Sequence, residues 1–235
     1  MLKTVLFDLD GTLLPMDQDR FVHAYMSGLA SYMLPYGYQT RLLTAGFWAG
    51  ITAMVKNTGD NTNEEVFWQA CSGAYGQNVR QDEPVFATYY TTEFQKVKDV
   101  CGFDARSAEL LGFLHEAGIG AVLATNPLFP AVATHSRIRW AGLEPEDFEL
   151  VTTFENSSRC KPNPDYYREI LGKLELKPEE CLMVGNDADE DMIAETLGMP
   201  VFLLTDCLIN RSGRDISRWP NGSFPELLTF IRGLL

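Results

Sequence analysis

Five short apolar runs, at 4–9, 119–125, 148–154, 181–185 and 200–205, are continuous rather than alternating. A strand with one wet face alternates polar and apolar residues, whereas a strand buried on both faces does not. Between the later runs the spacing turns helical. Residues 105–117 follow Asp104 as an N-cap and put Leu110, Leu111 and Leu114 on one face. Residues 164–174 begin at Asn163 as cap with Pro164 in the first helical position. Residues 189–197 stop at Gly198, a natural C-terminal glycine. Such alternation predicts an α/β fold, a doubly wound parallel sheet.

The stretch 16–98 breaks the alternation. It holds no buried strand and four helical patterns instead, at 17–34, 39–56, 63–75 and 83–98. Phe21, Tyr25, Leu29 and Met33 recur at helical spacing in the first, and Phe86, Tyr90, Phe94 and Val97 in the last. Thr62 and Glu65 form a capping-box pattern ahead of the third. The division expected is therefore an α/β core of residues 1–15 and 99–235, with a helical module of residues 16–98 inserted after the first strand. Of the chain's 27 aromatic residues, 14 fall in the insert, enough for a small core of its own.

Composition narrows the function classes. With 235 residues, 46% hydrophobic and 22% charged, the chain suits a globular protein with a sizeable core. The net charge of −13 argues against nucleic acid and anionic membrane as partners. No window is long and apolar enough to span a bilayer. The first residues do not read as a signal peptide, because two acids follow Lys3 within seven positions. Five scattered cysteines without a CxxC pair imply reduced thiols, a cytoplasmic location and no zinc site.

Chemistry concentrates at four strand ends. The first run closes on Asp8-Leu9-Asp10-Gly11-Thr12. Residues two apart in a strand face the same side, so both carboxylates project together, and a divalent cation such as magnesium makes that pair tolerable. Thr125 and Asn126 leave the second run, where a hydroxyl and an amide can donate to phosphate oxygens. Lys161 stands just before a capped helix, a compact cation at a fixed place. The fourth run exits into Gly185-Asn186-Asp187-Ala188-Asp189-Glu190-Asp191, a cluster of acids that repel one another unless a cation is bound. Helix N-terminal charge accounts for Glu190. Ligands of open α/β sheets bind at the carboxyl ends of strands, where one cleft can gather all four stretches.

These stretches, in this order and spacing, resemble the haloacid dehalogenase-like superfamily, in its phosphatase form with a small helical cap after the first motif. The resemblance covers essentially the whole chain. It implies a Rossmann-like core and a Mg2+-dependent phosphatase acting on a small phosphorylated substrate. By that resemblance Asp8 is the nucleophile that becomes an aspartyl-phosphate, and Asp10 is the general acid and then base, with its carbonyl toward the metal. Thr125, Asn126 and Lys161 hold the phosphoryl group, and Asp8, Asp10, Asp187 and Asp191 form the metal site. One departure stands out: Asn186 follows Gly185 where the family commonly has aspartate. Either Asp187 contacts the metal or Asn186 does so as a weaker neutral ligand.

Four rivals share the resemblance. A dehalogenase needs no metal and usually lacks the second aspartate, so Asp10 and the acidic fourth motif count against it. A sugar phosphomutase shares all four motifs. A phosphonate-cleaving enzyme needs a cap lysine, for which Lys56 is the candidate. A non-enzymatic binding protein on the same fold would have lost a motif residue, and none is lost here.

Overall fold

The computed structural model describes residues 2–234. Among them six strands, β1 (Thr4–Phe7), β2 (Gly120–Leu123), β3 (Leu150–Val151), β4 (Cys181–Gly185), β5 (Val201–Leu204) and β6 (Asn221–Gly222), form one parallel sheet in the order β3-β2-β1-β4-β5-β6. All of β1, β4 and β5 is buried, as their unbroken apolar runs require. Val5 and Phe7 face one hydrophobic cluster and Leu6 faces another, the two-residue period of a strand covered on both sides. Phe7 lies opposite Leu123 on β2 and Val184 on β4, so the carboxyl ends of the three central strands are level. The strand order also reverses at β1, which opens a crevice there.

Helices α1 (Gln18–Met33), α2 (Thr40–Val55), α3 (Asn63–Tyr75) and α4 (Glu83–Thr91) occupy the insert. Helices α5 (Arg106–Glu116), α6 (Ala131–Trp140), α7 (Pro164–Leu174) and α8 (Phe224–Leu234) belong to the α/β part. The expected apolar faces are buried: Phe21, Tyr25, Leu29 and Met33 on α1, and Leu110, Leu111 and Leu114 on α5. Thr62 and Glu65 form both bonds of the capping box on α3. Asn163 caps α7 by accepting from the Asp165 amide.

Several expectations are corrected. The fourth insert helix ends at Thr91, and a separate 3-10 helix covers Glu93–Val100. The hydroxyls of Thr91 and Thr92 both donate to the Thr88 carbonyl, competing for it where the helix breaks. Residues 189–197 are not an α-helix but turns and a 3-10 helix over Met192–Leu197, which does end at a left-handed Gly198. Here the carboxylate of Asp187 takes the amides of Asp189 and Glu190. The run 148–154 pairs only through Leu150–Val151, because the side chain of Asn156 folds onto the Val151 carbonyl and the Thr153 amide. On α5 the cap position is Ala105, while Asp104 accepts from the Arg106 amide.

The insert's aromatics do not form a core apart. One apolar cluster runs from Val5 and Phe7 of the sheet through Phe21, Phe94 and Trp140 to Phe47, Phe67 and Phe86. Asn63, wholly buried at the start of α3, donates to the Arg159 carbonyl at 3.2 Å and to Cys160 Sγ at 3.3 Å. That amide fastens the insert to the loop that carries Lys161.

Candidate active site

Asp8 follows β1 directly and is buried. Lys161 reaches it from the loop between β3 and α7: its Nζ donates to Asp8 Oδ1 at 2.9 Å and to Asp191 Oδ1 at 2.6 Å. Burial works against the ammonium charge, but Asp191 and Asp8 outweigh it and hold the lysine's pKa well above the ordinary value. The second oxygen of Asp191 accepts from the Asp187 amide at 2.9 Å. Gly185 makes this possible, since a Cβ there would overlap the Asp191 carboxylate.

Asp10, one turn of chain further, meets a cation of its own. The guanidinium of Arg137, fully buried on α6, donates to Asp10 Oδ2, while Asp10 Oδ1 is buried without a partner. Arg137 is braced by the Thr134 hydroxyl and stacks over the Phe129 ring with its carbon 4.3 Å from the centroid. Burial pushes the Asp10 carboxyl up to about 6, with Arg137 pulling against that rise.

On the other side of β1, Thr125 and Asn126 leave β2. The Thr125 carbonyl is pinned by the hydroxyls of Thr152 at 2.6 Å and Tyr166 at 2.9 Å. Asn126 donates to Glu190 at 2.9 Å, and its own Oδ1 is buried without a donor. Burial pushes the Glu190 carboxyl up to about 7, so it is not merely a helix-end charge. Asn186, the departure in the fourth stretch, is 1% exposed. It accepts from the Thr12 hydroxyl at 3.0 Å and donates to the Cys207 carbonyl at 2.7 Å. Its amide occupies the hollow at Gly11, whose φ of +88° and lack of a Cβ leave the space.

The residues that the resemblance assigns to the phosphatase site, Asp8, Asp10, Thr125, Asn126, Lys161, Asp187 and Asp191, lie together at this one place. All but Lys161 border a cavity of about 70 Å3, and Lys161 lies behind it between two of the carboxylates. Among the described residues no three carboxylate, cysteine or histidine side chains enclose an ion by themselves. Magnesium keeps several waters and asks for few protein oxygens, and the carboxylates of Asp8 and Asp187 bordering one small cavity suit that demand. Asp191 has both oxygens occupied by Lys161 and the Asp187 amide. Lys56, the candidate Schiff-base lysine, is exposed at the end of α2.

Arg137 is the residue the sequence reading missed. The signal for it lies in the spacing of Thr134, Arg137, Ile138 and Ala141, an i, i+3, i+4, i+7 stripe that is otherwise uncharged.

The family model for haloacid dehalogenase-like hydrolases matches residues 2–194, and the chain belongs to that family. A pyrophosphatase PpaX of Halalkalibacterium halodurans is 22% identical over 201 residues, covering 84% of this chain and 81% of its own. A phosphoglycolate phosphatase of Pectobacterium atrosepticum is 27% identical over 198 residues, covering 84% and 77%. A family enzyme of Bacteroides thetaiotaomicron, solved in complex with magnesium and inorganic phosphate, shares the fold with a TM-score of 0.54 at 16% identity, over 93% of this chain and 98% of that one.

Proposed function

We propose that this hydrolase is a magnesium-dependent phosphatase that cleaves a small phosphomonoester through an aspartyl-phosphate on Asp8. The observation that carries the reading is Lys161 donating to Asp8 at the end of the central strand, with Asp187, Thr125 and Asn126 bordering the same cavity.

In this reading Asp8 attacks phosphorus along the axis of the leaving oxygen. Lys161 offsets the charge that builds between nucleophile and phosphoryl group, and keeps Asp8 aimed. The Thr125 hydroxyl and the Asn126 amide hold phosphoryl oxygens. Asp10 in its protonated form gives a proton to the departing alcohol, then takes one from the water that attacks the phospho-enzyme. Arg137 fixes the direction in which Asp10 points. Asp8 and Asp187, with the Asp10 carbonyl, would hold the magnesium ion, and Asp191 acts behind them through Lys161 and the Asp187 backbone. When bound, magnesium lowers the repulsion between an anionic nucleophile and an anionic phosphate.

The test is turnover of phenyl phosphate with magnesium and with a chelator, beside Asp8→Asn. Turnover is expected to fall about 10^4-fold or more in the variant, and a phosphoryl label is expected on the wild-type protein and not on Asp8→Asn. Equal turnover in Asp8→Asn would overturn the mechanism.

A further inference from the structure

A second cavity of about 930 Å3 opens beside the phosphate site, between the insert helices and the start of α6. The two cavities share Asp10, Gln18 and Arg211, so the larger one begins where a leaving oxygen would take its proton. Aromatic rings are prominent in its walls: Phe47, Phe67, Trp68, Phe86 and Tyr90 from the insert, and Phe129 from the loop before α6. The acids Asp19, Glu83 and Glu155 also line it. Among the described residues its one lysine or arginine is Arg211, which stands at the junction with the phosphate site and already lies 3.5 Å from Asp19.

Those facts bear on the part of the substrate that is not phosphate. A leaving group carrying its own carboxylate or second phosphate would meet Asp19, Glu83 and Glu155 there, against His23 and an Arg211 that already lies beside Asp19. A small leaving group would also leave most of the volume unfilled. Ligand sites of this size are matched by molecules that bury apolar surface over most of their area.

We propose that the substrate is the phosphomonoester of a bulky, largely apolar alcohol, of fused-ring aryl size or larger, whose hydrocarbon part lies within this cavity. The inference rests on the phosphatase reading and goes beyond it by naming the leaving group. In the step, the Asp8 carboxylate oxygen bonds to phosphorus as the P–O bond to the leaving oxygen breaks, Asp10 gives that oxygen its proton, and the released alcohol is held by the aromatic walls.

The experiment compares 2-naphthyl phosphate with phenyl phosphate, whose leaving groups are close in acidity, so a difference in kcat/KM reports the cavity and not the chemistry. The second ring is expected to raise kcat/KM about tenfold. Ala87→Trp on α4 and, independently, Ile51→Trp on α2 project bulk from the cavity wall and are expected to erase that ratio. A naphthyl-to-phenyl ratio near one, a ratio that both filling variants leave intact, or a preference for phosphoglycolate over both aryl esters would overturn the inference while leaving the phosphatase reading standing. Should no phosphate ester be turned over, that reading fails by itself. A calorimetric titration with 2-naphthol then decides the cavity: saturable binding abolished by Ala87→Trp upholds it, and no binding overturns it.

Discussion

The guanidinium of Arg137 on α6 donates to the carboxylate of Asp10 across 127 positions of sequence, and Asp10 borders both the phosphate site and the aromatic cavity while Arg137 is fully buried. Neither partner is easily replaced. A buried arginine without its carboxylate, or the reverse, is an uncompensated charge.

Removal of Arg137 should therefore shift the pH profile in a definite direction. Burial raises the Asp10 carboxyl to about 6, and Arg137 is the largest influence lowering it; Asp8 raises it and Lys161 lowers it further. Cys101 also faces this carboxylate, and its thiol is held up to about 11, neutral across the working range. With Arg137 gone the acid holds its proton to higher pH. If Asp10 acts as the general acid, activity falls as pH rises through its pKa, so in Arg137→Gln that falling limb should move upward while the peak rate drops. A pH–kcat/KM profile for both proteins reads this. A limb that stays put, or moves to lower pH, contradicts Asp10 as the titrating acid.

Lys161 is expected to matter as much for folding as for turnover. It is 1% exposed, and it separates Asp8 from Asp191, which would otherwise face each other. Lys161→Met leaves two carboxylates without their common cation, a loss of about 3–5 kcal/mol by the usual cost of breaking a buried pair. Adding Asp191→Asn removes one of those charges, so the double variant should regain part of the stability and none of the activity. Denaturant unfolding and steady-state turnover, measured on the same three proteins, separate the two effects.

Much of this site was legible before any coordinates. Asp8, Thr125 and Asp187 each stand at or just past the end of an apolar run, and parallel pairing of those runs had to level their ends, while Lys161 comes from the loop that follows β3. What the sequence hid was lateral. Arg137 looks like any of the cations in HSRIRW until α6 turns it inward, and Glu190 looks like a helix-end charge until Asn126 crosses from β2 to meet it. Where an α-helix is expected at 189–197, the chain forms turns and a 3-10 helix, with Asp187 accepting the Asp189 and Glu190 amides and Asp191 held by Lys161. Local spacing foretells faces, but not contacts made between elements.

The insert's attachment gives a third prediction. Asn63 donates to the Arg159 carbonyl and Cys160 Sγ and accepts from Asn57 at 3.0 Å, all within buried surroundings. Asn63→Ala leaves those groups unpaired and should cost about 1–3 kcal/mol. Because the loop it holds leads into Lys161, amide exchange at Arg159 and Lys161 should quicken by more than exchange in β4 or β5. Uniform quickening would instead mean that the insert and the sheet loosen as one unit.

Asn186 poses the sharpest test, because the family's common aspartate is absent at that place. Its amide is a structural tie: the oxygen takes the Thr12 hydroxyl, and the nitrogen reaches the Cys207 carbonyl. A carboxylate in the same position has no hydrogen for Cys207 and would press a negative charge against that carbonyl, close to Asp187 and Asp191. Asn186→Asp is therefore expected to lose about 1–3 kcal/mol of stability. If the ion is held by Asp8 and Asp187, the variant should bind magnesium no more tightly than the wild type. Calorimetric titration with magnesium, alongside thermal unfolding in its absence, gives both quantities. A stable Asn186→Asp protein with markedly tighter magnesium binding would move the metal contact from Asp187 to position 186, and would make the asparagine a weakened ligand in place of a strut.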